Sequence, residues 1–319
     1  MAHIPYIGGK ITEPGIYARV PMVRYHDADI CDGPSISSSG LRKIIHKSEA
    51  HYWCDSPLNP NRVGTDDEKE HFILGRAVHH LILGEPFFAK LFVIQPDMYD
   101  SGKEEKGKQR WRPWFNGAGK CKEWNAEQAR AGKTILTADQ VDHIRGMALS
   151  LGQNPLVRAG ILNGAIERSM FWKDKESGIW LKARPDAIPN DSLDFSDLKT
   201  TTSVRYEDLV STIAKFAYYQ QGALIGEGCR RLLGQEMNSF SLVFVESKPP
   251  YATRVVQLDP DDLKRGHELN RQALARFWRC LRNQEWPGPG GVQHDAQSIS
   301  LSQRARENLD AIVQHGSIS

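Results

Sequence analysis

A chain of 319 residues, 40% of them hydrophobic, is long enough to bury a substantial core, and a formal charge of +2 selects no partner by bulk electrostatics. The five cysteines, Cys31, Cys54, Cys121, Cys229 and Cys280, include no C-x-x-C pair, which argues against a disulfide framework, a structural zinc or an iron–sulfur cluster and fits a reducing cytoplasm. No apolar run reaches membrane-spanning length and the N-terminus does not read as a signal peptide, so a cytoplasmic protein with no membrane partner is expected.

In chain order, residues 66–83 predict an amphipathic helix, with Leu74, Ala77, Val78, Leu81 and Ile82 on one apolar stripe and Gly84 as its stop. At about 100° per residue, His71, Gly75 and His79 stack along one edge of that stripe, while His80 points away with Arg76. Gly75 has no side chain, so another element or a phosphate can approach His79 closely. On helix geometry alone, His79 reads as a half-buried histidine bonded to a carbonyl. Residues 101–133 hold nine Lys/Arg against four Asp/Glu, with Trp111, Trp114, Phe115 and Trp124 among them. Such interleaving suits a phosphate backbone with stacked bases, and equally a solvated insertion whose aromatics tuck against the body. Its candidate nucleic-acid contacts are Lys103, Lys106, Lys108, Arg110, Trp111, Arg112 and Trp114.

Thr137-Ala-Asp-Gln140 is a capping box that opens a helix running to about Leu151. Between Glu167 and Lys199, turn residues at two points cut three apolar-rich runs of strand length, which predicts a β-meander. Residues 206–233 read as one helix, with Gln221 one turn beyond Ala217 on the face that packs on the sheet. A glutamine there is either a satisfied core group or a contact to DNA or water. Residues 240–246 and 252–258 predict a hairpin, and Asp259-Pro260 opens a helix to about Asn283. Trp286-Pro-Gly-Pro-Gly-Gly291 ends that helix in a loop, and residues 301–313 form a short peripheral helix.

The chemistry concentrates in the meander. On its last strand Phe195, Asp197 and Lys199 share one face and Leu198 the other, because side chains alternate. Asp186 closes the neighbouring strand after Pro185, a residue suited to a strand end. Two converging carboxylates hold magnesium, whose hard character selects carboxylate and carbonyl oxygens. A nearby lysine can orient or deprotonate water, or neutralise developing charge. Asp186 and Asp197 are therefore candidate ligands, the Leu198 carbonyl a third, and Lys199 the catalytic cation. The short Asp/Glu-x-Lys pattern alone is weak. It occurs five times, ending at Lys69, Lys106, Lys199, Lys248 and Lys264, and only Lys199 has a hairpin-related acid upstream.

These residues resemble the PD-(D/E)xK nuclease superfamily, and within it the exonuclease VIII (RecE-like) branch of phages and prophages. Five separated stretches carry the resemblance in order: Pro34-Ser-Ile-Ser-Ser-Ser-Gly-Leu41 with His51-Tyr-Trp53; Leu74-Gly-Arg-Ala-Val-His79; Lys182-Ala-Arg-Pro-Asp186; Asp197-Leu-Lys-Thr-Thr-Thr202; and Tyr218-Tyr-Gln-Gln-Gly-Ala223. The resemblance implies an α/β (α+β) restriction-endonuclease-like core, a mixed central sheet flanked by helices. It makes Asp186, Asp197 and Lys199 the catalytic centre, with His79 a metal or phosphate contact, Glu167 an assistant to a ligand or the water, and Gln221 the helix glutamine, Gln220 being adjacent. Where a tyrosine is expected four residues after that glutamine, this chain has Ile225. One nuclease domain is expected: an extension and first helix over residues 1–65, a core over 66–283 that carries the 101–133 insertion, and a tail over 284–319.

The implied activity is magnesium-dependent 5′→3′ digestion of linear double-stranded DNA from its ends, manganese being a substitute ion. It leaves 3′ single strands for an annealing recombinase, and a ring-shaped homo-oligomer is the implied assembly. The same residues also suit three rivals: an endonuclease on the same fold, a catalytically silent DNA-binding or scaffold protein, and a hydrolase of small phosphoesters.

Overall fold

The computed structural model describes residues 3–62, 70–82, 88–102, 110–166, 168–190, 192–291 and 296–316. Its architecture is mixed α/β. A five-stranded mixed sheet runs in the order Ile4–Pro5, Gly15–Ala18, Arg168–Lys173, Trp180–Ala183, Ser35–Ser37. A three-stranded sheet runs Asp194–Thr201, Ser239–Glu246, Thr253–Gln257. Among the described residues no helix is long and apolar enough to cross a membrane.

The run after Glu167 forms strands, but not one meander. Arg168–Lys173 and Trp180–Ala183 are an antiparallel pair with Lys182 opposite Phe171. Asp194–Thr201 leaves them and pairs in parallel with Ser239–Glu246, Asp197 opposite Leu242. Its burial explains the choice: Phe195 through Leu198 are all buried, so both faces are covered, as parallel strands require. A parallel pairing also needs a long crossover. The helices Tyr206–Phe216 and Tyr218–Leu233 supply it, where periodicity predicts a single helix. The interruption is Ala217, in the left-handed region at φ 50°. Ser239–Glu246 and Thr253–Gln257 form the expected hairpin, and Pro260–Asn283 is the expected long helix.

Two cores meet at the three-stranded sheet. Phe195, Phe240, Leu242 and Phe244 face a core shared with the five-stranded sheet and with the helices Ser38–His46, Tyr218–Leu233 and Pro260–Asn283. Leu198, Val243 and Val245 face the other core, with Leu74, Ala77 and Val78 of the Glu70–Ile82 helix and Ile144, Met147 and Leu151 of the Ala138–Gln153 helix. The latter helix begins at Thr137 with both bonds of the capping box. Leu81, expected in the apolar stripe, is 42% exposed. A third, smaller core packs Val20, Tyr25 and Ile30 of the N-terminal segment on Phe171 and Trp180.

Candidate active site

The open edge of the Asp194–Thr201 strand is where the site assembles. The Leu198 N–H donates to Asp186 Oδ2 at 2.6 Å, and His79 Nε2 donates to the Leu198 carbonyl at 2.7 Å. His79 Nδ1 lies 3.4 Å from Asp186 Oδ1, closing a small circuit of side chains around one peptide. His79 can reach this far because Gly75, one turn earlier, lets the helix sit close: a Cβ there would meet Thr200 Oγ1 at 3.3 Å. On the strand's other face Lys199 Nζ pairs with Asp197 Oδ2, and Gln221 Nε2 donates to Asp197 Oδ1 at 2.8 Å.

Burial makes these charges interdependent. The Asp186 and Asp197 side chains are 14% and 2% exposed, too dry for two independent carboxylates. Burial pushes Asp186 up, but His79, Lys199 and the Leu198 N–H outweigh it and hold the carboxyl below its ordinary range. Asp197 is pushed up by burial and by the charge of Asp186, against the pull of Lys199. Burial alone would lower both cations; Asp186 reverses that for His79, and Asp197 with Asp186 for Lys199. The pair of acids therefore splits in acidity, with Lys199 retained as an ammonium.

A cavity of ≈ 880 Å³ opens over Asp186, Lys199, Gln221 and His79. Its other walls carry Arg19, Arg42, Arg76, Lys90, Lys182 and Arg184, together with Ser37, Ser38 and Ser39. The N-terminal stretch from Arg19 to His26 lies along one side. Arg184 Nη1 donates to the Val20 carbonyl at 2.9 Å and Lys182 Nζ to the Tyr25 carbonyl at 2.7 Å, which ties that wall to the run ending in Asp186. A polyanion fits such a lining better than a neutral ligand does.

The sequence matches the PDDEXK-like domain of unknown function (DUF3799) over residues 37–295. The chain belongs to that family. It is similar in structure to a candidate exonuclease from Eubacterium rectale, with a TM-score of 0.55 and 12% identity over 85% of this chain and 92% of the other. At that identity the likeness is one of fold. SSO0001 aligns at a TM-score of 0.27 and 16% identity, over 48% of this chain and 66% of its own. No curated protein matches. The PDDEXK-like assignment agrees with the fold expected from sequence, and the fold is that of a nuclease, for which DNA is the implied substrate.

Within this PDDEXK-like fold, the structure brings Asp186, Asp197, Lys199, Leu198, His79 and Gln221 into one place. Gln220 goes elsewhere: it is fully buried between His46 and Asn270. Glu167, Lys103, Lys106 and Lys108 lie outside the described residues. Arg110, Trp111, Arg112 and Trp114 sit on or beside the Met98–Asp100 and Trp111–Pro113 hairpin and do not line the cavity. Arg110 is paired with Asp100 at 2.9 and 2.7 Å, and Trp114 packs edge-on against Trp124. His80 packs against Phe92. Sequence reasoning overlooked Arg42, Lys182, Arg184 and Tyr218. Their signal was available, since all four fall inside or within one residue of motif stretches, and Tyr218 lies three residues, one helical turn, before Gln221.

PDDEXK nucleases generally use divalent metal ions, and the donor types here suit a hard cation: the Asp186 carboxylate and the Leu198 carbonyl lie on the strand edge, and the Asp197 carboxylate is on the adjacent residue. Each donor has a protein partner in this arrangement. Among the described residues no three His, Cys, Asp or Glu side chains stand together as a ready ligand cluster. The oxygens of Asp186, Asp197 and Leu198 have the chemistry such an ion selects, and His79 touches two of these groups, the Leu198 carbonyl and the Asp186 carboxylate.

Proposed function

We propose that this protein is a magnesium-dependent exodeoxyribonuclease of the RecE-like branch that digests linear double-stranded DNA from its ends, 5′→3′, leaving 3′ single strands for recombination. The observation that carries the reading is the placement of Asp186 on the strand edge next to the Asp197–Lys199 pair, with Asp186 and Lys199 lining a cavity that holds further cations.

Asp186, Asp197 and the Leu198 carbonyl would hold magnesium, with manganese as a substitute. When bound, the ion supplies Lewis-acid stabilisation of the phosphoryl oxygens and a more acidic water. Lys199, kept as an ammonium by Asp197, orients the attacking water and offsets charge on the phosphorane. Gln221 fixes the Asp197 carboxylate through Oδ1 and leaves Oδ2 to the lysine. His79 holds the Leu198 carbonyl and the Asp186 carboxylate in register across the strand edge. Glu167 would assist a ligand or the water. Arg42, Arg76 and Arg184 meet backbone phosphates, and the Arg110–Trp114 hairpin, with Lys103, Lys106 and Lys108, follows the duplex outside the cavity. In this reading residues 1–319 act as one nuclease domain in the cytoplasm, a ring of several copies encloses DNA, and a single-strand annealing recombinase receives the product.

The test compares linear with covalently closed circular duplex DNA in magnesium. Loss of the linear substrate alone supports the exonuclease. Nicking or cutting of the circle moves the reading to an endonuclease on the same fold, and survival of both substrates moves it to a silent DNA-binding protein.

A further inference from the structure

Lysine carries its charge on a flexible four-carbon stem, so a catalytic ammonium needs more than one restraint. Lys199 has two. One is the Asp197 carboxylate. The other is the face of Tyr218, whose ring centroid lies 5.0 Å from Nζ. The ring is itself held, stacked on Phe216 at 5.7 Å and leaning on Phe244 at 6.3 Å.

Tyr218 occupies this place because the helix is broken just before it. Ala217 turns through the left-handed region, and Arg42 Nη1 donates to the Phe216 carbonyl at 2.6 Å, bracing the break from the Ser38–His46 helix. The helix that restarts at Tyr218 then aims its first turn at the catalytic pair: Tyr218 at Lys199, and Gln221, three residues on, at Asp197. The position four residues after Gln221 is Ile225, 1% exposed and apolar. The aromatic ring of this helix therefore stands one turn before the glutamine, not one turn after it.

We propose that Tyr218 is a positioning residue for Lys199, its ring confining the ammonium to the Asp197 side of the cavity by a cation–π contact. The proposal rests on the reading of Lys199 as the catalytic cation. It assigns the role to the ring face and not to the hydroxyl.

Full-length wild type, Tyr218→Phe, Tyr218→Leu, Tyr218→Met, Lys199→Ala and Tyr218→Leu/Lys199→Ala are compared on linear duplex DNA in magnesium. Tyr218→Phe is expected within about twofold of wild type, and the Leu and Met variants roughly 10- to 30-fold lower in kcat with KM little changed, the size of a desolvated cation–π contact. Because the ring acts through the lysine, the double variant is expected to be no slower than Lys199→Ala. Thermal melting and magnesium binding without DNA report whether the Leu or Met variant is folded. The proposal fails if Phe loses as much as Leu, if both Leu and Met match wild type, or if the losses multiply in the double variant. A wild type that cuts no DNA removes the nuclease reading and this role with it. A cutting wild type with multiplicative losses removes the role of Tyr218 alone.

Discussion

Gln220 and Gln221 are adjacent and do opposite things. Gln220 bonds His46 at 2.7 Å and Asn270 at 3.0 Å, and its carbonyl accepts from Asn270 at 2.9 Å, so it belongs to a buried network joining three helices. Gln220→Leu strands those partners and is expected to cost about 2–3 kcal/mol in urea unfolding, with cleavage intact wherever the variant is folded. Gln221→Leu is expected to do the reverse, lowering cleavage about tenfold with a smaller loss of stability. Lys182 offers a second residue-scale test. It is 4% exposed and burial lowers its pKa to about 8, with the Tyr25 carbonyl and ring as neighbours. Between pH 8 and the unfolded value of 10.5 the unfolded chain binds this proton and the folded one does not, so the contribution of Lys182 to stability rises with pH in that window. The rise is on the order of 3 kcal/mol. Lys182→Met is expected to abolish it, as read from unfolding midpoints at pH 7.5, 9 and 10.5.

At the scale of elements, the break at Ala217 sets the direction of the glutamine helix. A β-branched residue resists φ near +50°, so Ala217→Val is expected to cost about 2 kcal/mol or more, whereas Ala217→Gly stays within about 1 kcal/mol; thermal melts distinguish them. This break was not legible in the sequence, because no Gly or Pro marks it and apolar periodicity continues through it. The strands themselves were legible from alternation, and so was the face shared by Asp197 and Lys199. Their partners were not. A strand buried on both faces carries no local sign of which neighbour it pairs with, and the crossover from Asp194–Thr201 to Ser239–Glu246 spans two helices. Ser35–Ser37 lies in a motif stretch, but its strand was not legible for another reason: its edge pairing with Trp180–Ala183 gives order to a serine run with little strand propensity of its own.

At the scale of the whole molecule, residues that precede the family's matched span of 37–295 complete the structure. Gly15–Ala18 pairs with Arg168–Lys173, and the stretch from Arg19 to His26 walls the cavity beside Asp186. The motif residues Asp186, Asp197 and Lys199 were legible as a group, but not this wall, since nothing in its composition distinguishes it from a loop. The lysines and arginines of the cavity come from six separate stretches of chain, which is why a net charge of +2 said nothing about the substrate. The proposed activity depends on the Asp186–Asp197–Lys199 centre. It is tested most directly by the release of acid-soluble nucleotides from linear duplex DNA by wild type and Lys199→Ala, in magnesium and in EDTA. Rapid release by wild type in magnesium alone, lowered about 10²- to 10⁴-fold in Lys199→Ala, is the expected result. Equal release by the two proteins, or release that persists in EDTA, would contradict it.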